Sequence, residues 1–166
     1  MSDSGGITGF NSGDITGGKM TGGTKTATNK NAGGIAGSTL YGSITDGSMT
    51  GGKVVSADDA AGGSAGENKG TITGCTMSGG TVTAKKWTGG ITGSSLDGAV
   101  ITGCSMTGGT VTGSEDFVGG IAGQMHGDNA RMENCTVSEA AGSTTQISAK
   151  NGVGSIVGYL ILGTVK

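Results

Sequence analysis

"GGTVTAKKWTGGITGSSLDGAVITGCSMTGGTVTGSEDFVGGIAG", residues Gly79–Gly123, says nearly the same thing twice. Gly-Gly-Thr-Val-Thr and Gly-Gly-Ile-x-Gly each recur inside it, and its Ile-Thr-Gly-Cys-x-Met (Ile101–Met106) repeats Ile72–Met77 just upstream. Such a stretch is either low-complexity polymer or two turns of a coil whose neighbours stack. The rest of the chain decides between them.

Working outward, the Gly-Gly-Ile-x-Gly opening places coil starts at Gly5, Gly33, Gly62, Gly89, Gly119 and Gly154, at intervals of 28, 29, 27, 30 and 35 residues. A period of this size is the mark of a solenoid. Laying the coils over one another yields apolar columns: Ile7, Ile35, Ser64, Ile91, Ile121, Ile156; then Ile15, Ile44, Ile72, Ile101, Met132. Two more read Met20, Met49, Met77, Met106, Val137 and Lys25, Val54, Val82, Val111, Ile147. Random low-complexity sequence does not hold isoleucine, methionine and valine in register while the loops between them vary.

Within a coil the alternation has period two. In "TITGCTMS" (Thr71–Ser78), Ile72, Cys75 and Met77 face in, while Thr73, Thr76 and Ser78 face out. Short alternating runs argue strands, and the Gly-Gly pairs supply turns. The expectation is an all-β parallel β-solenoid, one domain over residues 1–166, of about five and a half coils of 27–35 residues with three short strands each. One coil's few apolar side chains cannot offset the cost of ordering its backbone, so stability must come from stacking. At a strand spacing of ~4.8 Å, six layers make a rod roughly 25–30 Å long.

Composition narrows the function classes. The chain has 166 residues, 39 glycines, no proline and a net charge of −2, so no basic face exists to displace counterions from a nucleic acid. Its longest apolar run, "SIVGYLILGTV" (Ser155–Val165), is about half a membrane span. "MSDSGGITG" at the start lacks the charged and apolar regions of a secretion signal.

The three cysteines, an odd number, fall in one column: Cys75, Cys104 and Cys135, where the first two coils carry Gly18 and Gly47. A ladder of buried free thiols is expected, because parallel side chains on one face suit the disulfide torsion poorly. No metal site or cofactor is expected: the single histidine, His126, lies in a different loop, and no Cys-x-x-Cys exists. Nor does one histidine among many serines make a catalytic constellation. Asp58, Asp59, Glu115 and Asp116 occupy corresponding loops and invite a polysaccharide-cleaving interpretation, with solvated turns the plainer use. Thr16, Thr45, Thr73 and Thr102, with Thr81/Thr83 and Thr110/Thr112, form rows that suggest ice binding, but Lys53 and Glu133 interrupt them and β-propensity explains the threonines. The glycine strings precede no helix and so make no phosphate loop.

Coil five differs through two longer loops, "QMHGDNARMEN" (Gln124–Asn134) and "SEAAGSTTQ" (Ser138–Gln146). A lateral contact, to a glycan or host surface, is expected there through Met125, His126, Asp128 and Arg131. The ends carry the main functional expectation. The first coil begins at once, and the last is a half coil, "GSIVGYLILGTVK", without a polar cap, so the strand edges invite pairing. Unlike ends joined head to tail propagate as a filament. The expected self-assembly interface sets Ile156, Tyr159, Leu160, Ile161 and Leu162 against Gly5, Ile7 and Ile15 of the next copy.

"ENKGTITGCTMSGGTVT" (Glu67–Thr83), "GGIAG" (Gly33–Gly37 and Gly119–Gly123) and "ENCTV" (Glu133–Val137) resemble the GLUG repeat, with glycine in place of asparagine before Cys75 and Cys104. The resemblance runs from Gly5 to Gly158. It implies a right-handed parallel β-solenoid of bacterial surface or secreted proteins, often adhesive. Sequence and resemblance together lead to a non-enzymatic structural subunit assembling into an extracellular or cell-surface filament. The alternatives are a binding module of a larger adhesin, or a segment of a virion tail fibre.

Overall fold

The computed structural model describes residues 3–139, 141–142 and 144–166. Met1, Ser2, and Ala140 and Ser143 in the Ser138–Gln146 loop, lie outside the described residues. The chain is an all-β solenoid of about six turns, with no helix among the described residues. The third coil shows the plan: strands at Ala60–Gly62, Ala65–Asn68, Thr71–Thr73, Thr76–Met77 and Thr81–Ala84. Each pairs in parallel with its equivalents above and below, so the coil contributes to five sheets, named A to E in that order. The three strands per coil expected from the sequence are present, and two more short segments complete each turn. Sheets A, B and C have six strands; D and E have five.

The register reproduces the columns. Gly5, Gly33, Gly62, Gly89, Gly119 and Gly154 pair in one stack. So do Ile15, Ile44, Ile72, Ile101 and Met132, then Met20 through Val137, then Lys25 through Ile147. Isoleucine, methionine and valine from three directions fill one narrow core running the length of the rod, with Ile35, Ile44, Met49, Ile72, Met77, Ile101 and Met106 fully buried.

Glycine opens each coil for a steric reason. The chain doubles back between sheets A and B, and a Cβ on Gly33 would collide with the backbone carbonyl of Ala36 across that bend. No rotamer relieves a clash with backbone atoms. A different constraint rules the corner between sheets C and D. There Gly17, Asp46, Gly74, Gly103 and Asn134 lie one above another with φ of 66°, 53°, 63°, 63° and 54°. Left-handed backbone admits glycine, asparagine and aspartate at low cost, and the column uses all three. Glycine before Cys75 and Cys104 is therefore a conformational equivalent of Asn134 before Cys135.

Candidate functional site

The open ends and a cavity on the side stand out against the regular surface. At the first coil, Ile7 and Phe10 are 55% and 54% exposed, and Ile15 is half-buried. At the last, Val153, Tyr159, Leu160, Leu162 and Val165 are 39–59% exposed. Strands of the first and last coils also hydrogen-bond on one side only. Tyr41 is the one other large hydrophobic that is exposed among the described residues, on the flank of coil two. Exposed apolar surface thus concentrates where the stack stops.

The structure sorts the expected interface residues. Leu160 and Leu162 project from the last coil, while Ile156 and Ile161 are half-buried, Ile156 against the core. Tyr159 is engaged sideways as well: its ring stacks on Phe117 with centroids 4.3 Å apart and planes 11° from parallel. The last face is also a step rather than a plane. Sheets A to C carry a sixth strand where D and E have none, leaving Val137 and Ile147 of coil five partly covered.

The cavity, about 380 Å³, lies on the corner between sheets B and C and is lined by Gly98, Val100, Asp128, Asn129, Arg131 and Thr164. Its origin is a local change of loop length. Asn68, Ser95 and Met125 are stacked partners, as are Thr71, Val100 and Arg131. Between those two columns coil three inserts Lys69 and Gly70, coil four inserts Leu96–Ala99, and coil five inserts His126–Ala130. The two long turns overlie one another and stand out from the rod. Each is closed by its own backbone hydrogen bond, Ala99 N to Leu96 O at 3.0 Å and Ala130 N to Gly127 O at 3.1 Å. Asp97 Oδ1 ties them together, accepting from Asn129 N at 3.1 Å and Asn129 Nδ2 at 3.3 Å.

Of the expected lateral residues, Asp128 and Arg131 line this cavity. Exposed His126 stands beside it, paired with Ile161 of the last coil. Met125 is a correction: it is fully buried in the core and cannot touch an outside partner. The strand in coil five runs on to His126, and Met125 stacks on Ser95 and Asn68 in a column that is buried in every inner coil. Asn129 and Thr164 are lining residues that the sequence did not point to. The extra residues in coil four were visible, but only the register shows that they meet those of coil five.

The cysteine ladder is in place. Cys75 and Cys104 are buried, Cys135 is half-buried, and all three are free thiols. Each donates to a nearby carbonyl: Cys75 Sγ to Ile44 O and Thr73 O at 3.6 Å, Cys104 Sγ to Thr102 O at 3.5 Å, Cys135 Sγ to Glu133 O at 3.4 Å. The middle thiol keeps its proton: contact with the Cys135 and Cys75 thiols, then burial, push Cys104 up. Cys135 is pulled down to about 7 by the Cys104 thiol against its sulfur.

The loop carboxylates are occupied by cations and amides. Lys85 Nζ sits 3.7 Å from Asp58 Oδ1 and 3.8 Å from Glu115 Oε1, linking three coils. Lys86 Nζ lies 3.7 Å from Asp59 Oδ1, and Asn151 Nδ2 donates to Asp116 Oδ1 at 3.1 Å. Threonine rows follow the register, with Thr102 stacked on Glu133 and Thr81 on Lys53. No cluster of three or more metal-ligating side chains occurs among the described residues, nor does any helix long and apolar enough to cross a membrane.

No family model matches the chain. No curated protein matches it either. Among solved structures, a candidate immunoglobulin A1 protease from Bacteroides ovatus is similar, with a TM-score of 0.66 and 22% sequence identity. The match covers 97% of this chain and 57% of that one, so the chain spans little more than half the length of its structural neighbour. At this identity the likeness bears on the fold alone.

Proposed function

We propose that the protein is a non-catalytic structural solenoid whose two open ends stack on one another, copy upon copy, to build a filament outside the cell or on its surface. One observation carries this: exposed apolar side chains and unpaired strand edges coincide at both ends of the rod. Continuing the register by one layer sets Gly154 against Gly5 of the next copy, Tyr159 against Phe10 and Val165 against Ile15. Each contact buries surface that is otherwise wet, and the unlike ends form a heterologous, open-ended interface. The step confines direct contact to sheets A, B and C. Engagement of Asp58, Asp59 and Glu115 by lysines supports a structural use for these loops over a catalytic one.

Sedimentation across a range of concentrations, with negative-stain microscopy, tests the reading. Elongated particles growing with concentration are expected, and replacing Ile7 and Leu160 by lysine should return rods of single-copy length with unchanged β-rich circular dichroism. Particles that stay single at every concentration would sink it.

A second reading has support in the length of the structural neighbour. Here the same ends are covered by further coils of a longer chain, as in an adhesin or a tail fibre. A lengthened chain would then remain monomeric while this one associates.

A further inference from the structure

The side cavity follows from neither of these readings, since it lies on the flank of the rod and is built by loops that the stack does not need. We propose that the cavity between the coil-four and coil-five turns binds a carboxylate-bearing sugar, a uronic or sialic acid unit of a glycan.

The geometry is that of a built site. Coils one to three pass the same corner with shorter turns, and the solenoid is no less regular there. Ala99 and Ala130 return to the buried core at the end of each turn, and the other added residues of coils four and five contribute a surface feature. Their turns are fixed to the stack: Arg131 N donates to Ala99 O at 2.8 Å, and Thr164 N to Ala130 O at 3.0 Å. Gly127, at φ 136°, lets the coil-five turn approach Asp97 closely; a Cβ there would sit 2.5–2.8 Å from Asp97 atoms. A site on a backbone ladder loses little order when a ligand arrives.

The lining chemistry names the ligand class. Arg131 and Asp128 both face the cavity, yet neither forms an ion pair within 4.0 Å among the described residues. An unpaired guanidinium presents a planar donor fork that matches a carboxylate in two parallel hydrogen bonds. Asp128 offers acceptors for hydroxyl groups, and Asn129 and Thr164 add neutral polar groups suited to the same hydroxyls. Val100 and Gly98 supply the apolar part of the wall. At about 380 Å³ the cavity lies near the lower end of small-ligand sites, the scale of one or two sugar rings. One acid and several hydroxyls on one ring meet all of these groups together. A simple anion leaves Asp128 facing a like charge, and a neutral sugar leaves Arg131 without its carboxylate.

Four probes test this by amide NMR titration of the full chain, at a concentration where sedimentation shows single copies: glucuronate, a galacturonate tetrasaccharide, glucose and inorganic sulfate. Glucuronate and the tetrasaccharide should shift the amides of Gly98, Asn129 and Arg131. Glucose and sulfate should bind at least about tenfold more weakly, the worth of one charge-assisted hydrogen bond. Arg131→Gln should weaken glucuronate binding about tenfold or more, whereas Lys53→Gln, on another face, should leave it unchanged. Arg131 is exposed, so the variant's fold is checked by the untouched amide spectrum of coils one to three. A tighter fit for the tetrasaccharide points to a polymer presented across the rod, and equal affinity per unit to a terminal sugar. Equal binding of sulfate, equal binding of glucose, or shifts in none of the three amides would each overturn the proposal.

Discussion

Ile7 and Ile35 are the same residue in the same column, one coil apart, yet the first is 55% exposed and the second fully buried. Nothing within their own coils accounts for this; the difference lies in what is above and below. Ile35 has a layer on each side, Ile7 on one. The core of this protein is thus a property of the interface between coils, and burial is granted by neighbours. The terminal coils show what every coil would be without them.

The comparison breaks most easily in the middle. Ile72 has Ile44 below and Ile101 above, and no solvent contact. Ile72→Ala should cost about 2–5 kcal/mol, a truncation that leaves a hole between layers. Ile7→Ala should cost less than about 1 kcal/mol, because little of that side chain has left water. Urea titrations of the monomeric protein measure both. Equal losses would mean that the terminal coil is already covered or that the column does not share one core. Repeating the pair under conditions of association sharpens the test, since stacking should raise the cost at Ile7 towards that at Ile72.

A second contrast lies within the left-handed column at the C-to-D corner. Gly103 has φ 63° with open space where a Cβ would stand, so a substitution there meets strain without collision. Gly103→Ala should cost about 1–2 kcal/mol from backbone strain alone. Gly103→Asn should cost distinctly less, because asparagine already holds this conformation at Asn134, one coil on. Matching losses for the two variants would show that some other feature selects the residue.

These contrasts also show how far the chain could be interpreted before its structure. The coil starts and all four apolar columns were legible, because a side chain shared between layers must repeat at the layer period, and Ile44, Ile72 and Ile101 do. The division of each coil into five sheets was hidden, since segments as short as Thr76–Met77 hold too few residues to show an alternation. Met125 departs from the expectation for a related reason: its strand runs without a break into a polar turn, and its column holds Asn68 and Ser95 below it, so no apolar repeat marks it as core. The cavity needed the register. Leu96–Ala99 and His126–Ala130 are ordinary loops in sequence, and a site only once one is set over the other.

The smallest effect concerns the cysteine ladder, where the contrast between interior and end becomes chemical. Cys104 lies between two thiols and is buried, so its proton is retained well above the ordinary range. Cys135 has a thiol on one side only, is half-buried, and loses its proton at about 7 against an ordinary 9.0. The thiolate is the nucleophile, so lowering the pKa raises the reactive fraction at neutral pH, and the rate should climb as pH rises through about 7 and then level off. Iodoacetamide labelling followed by peptide mass spectrometry should therefore modify Cys135 first, with that midpoint, while Cys104, and Cys75, which the Cys104 thiol also pulls down but which is sealed from solvent, react only as the protein unfolds. Cys135→Ser should leave stability within about 1 kcal/mol and remove the early label, since a half-covered side chain has little burial to lose. Labelling of Cys104 at the rate of Cys135 would mean that the ladder opens as one unit. Association should leave Cys135 open to label, because the sixth layer stops at Lys166 over Asn134 and sheet D has no strand above coil five.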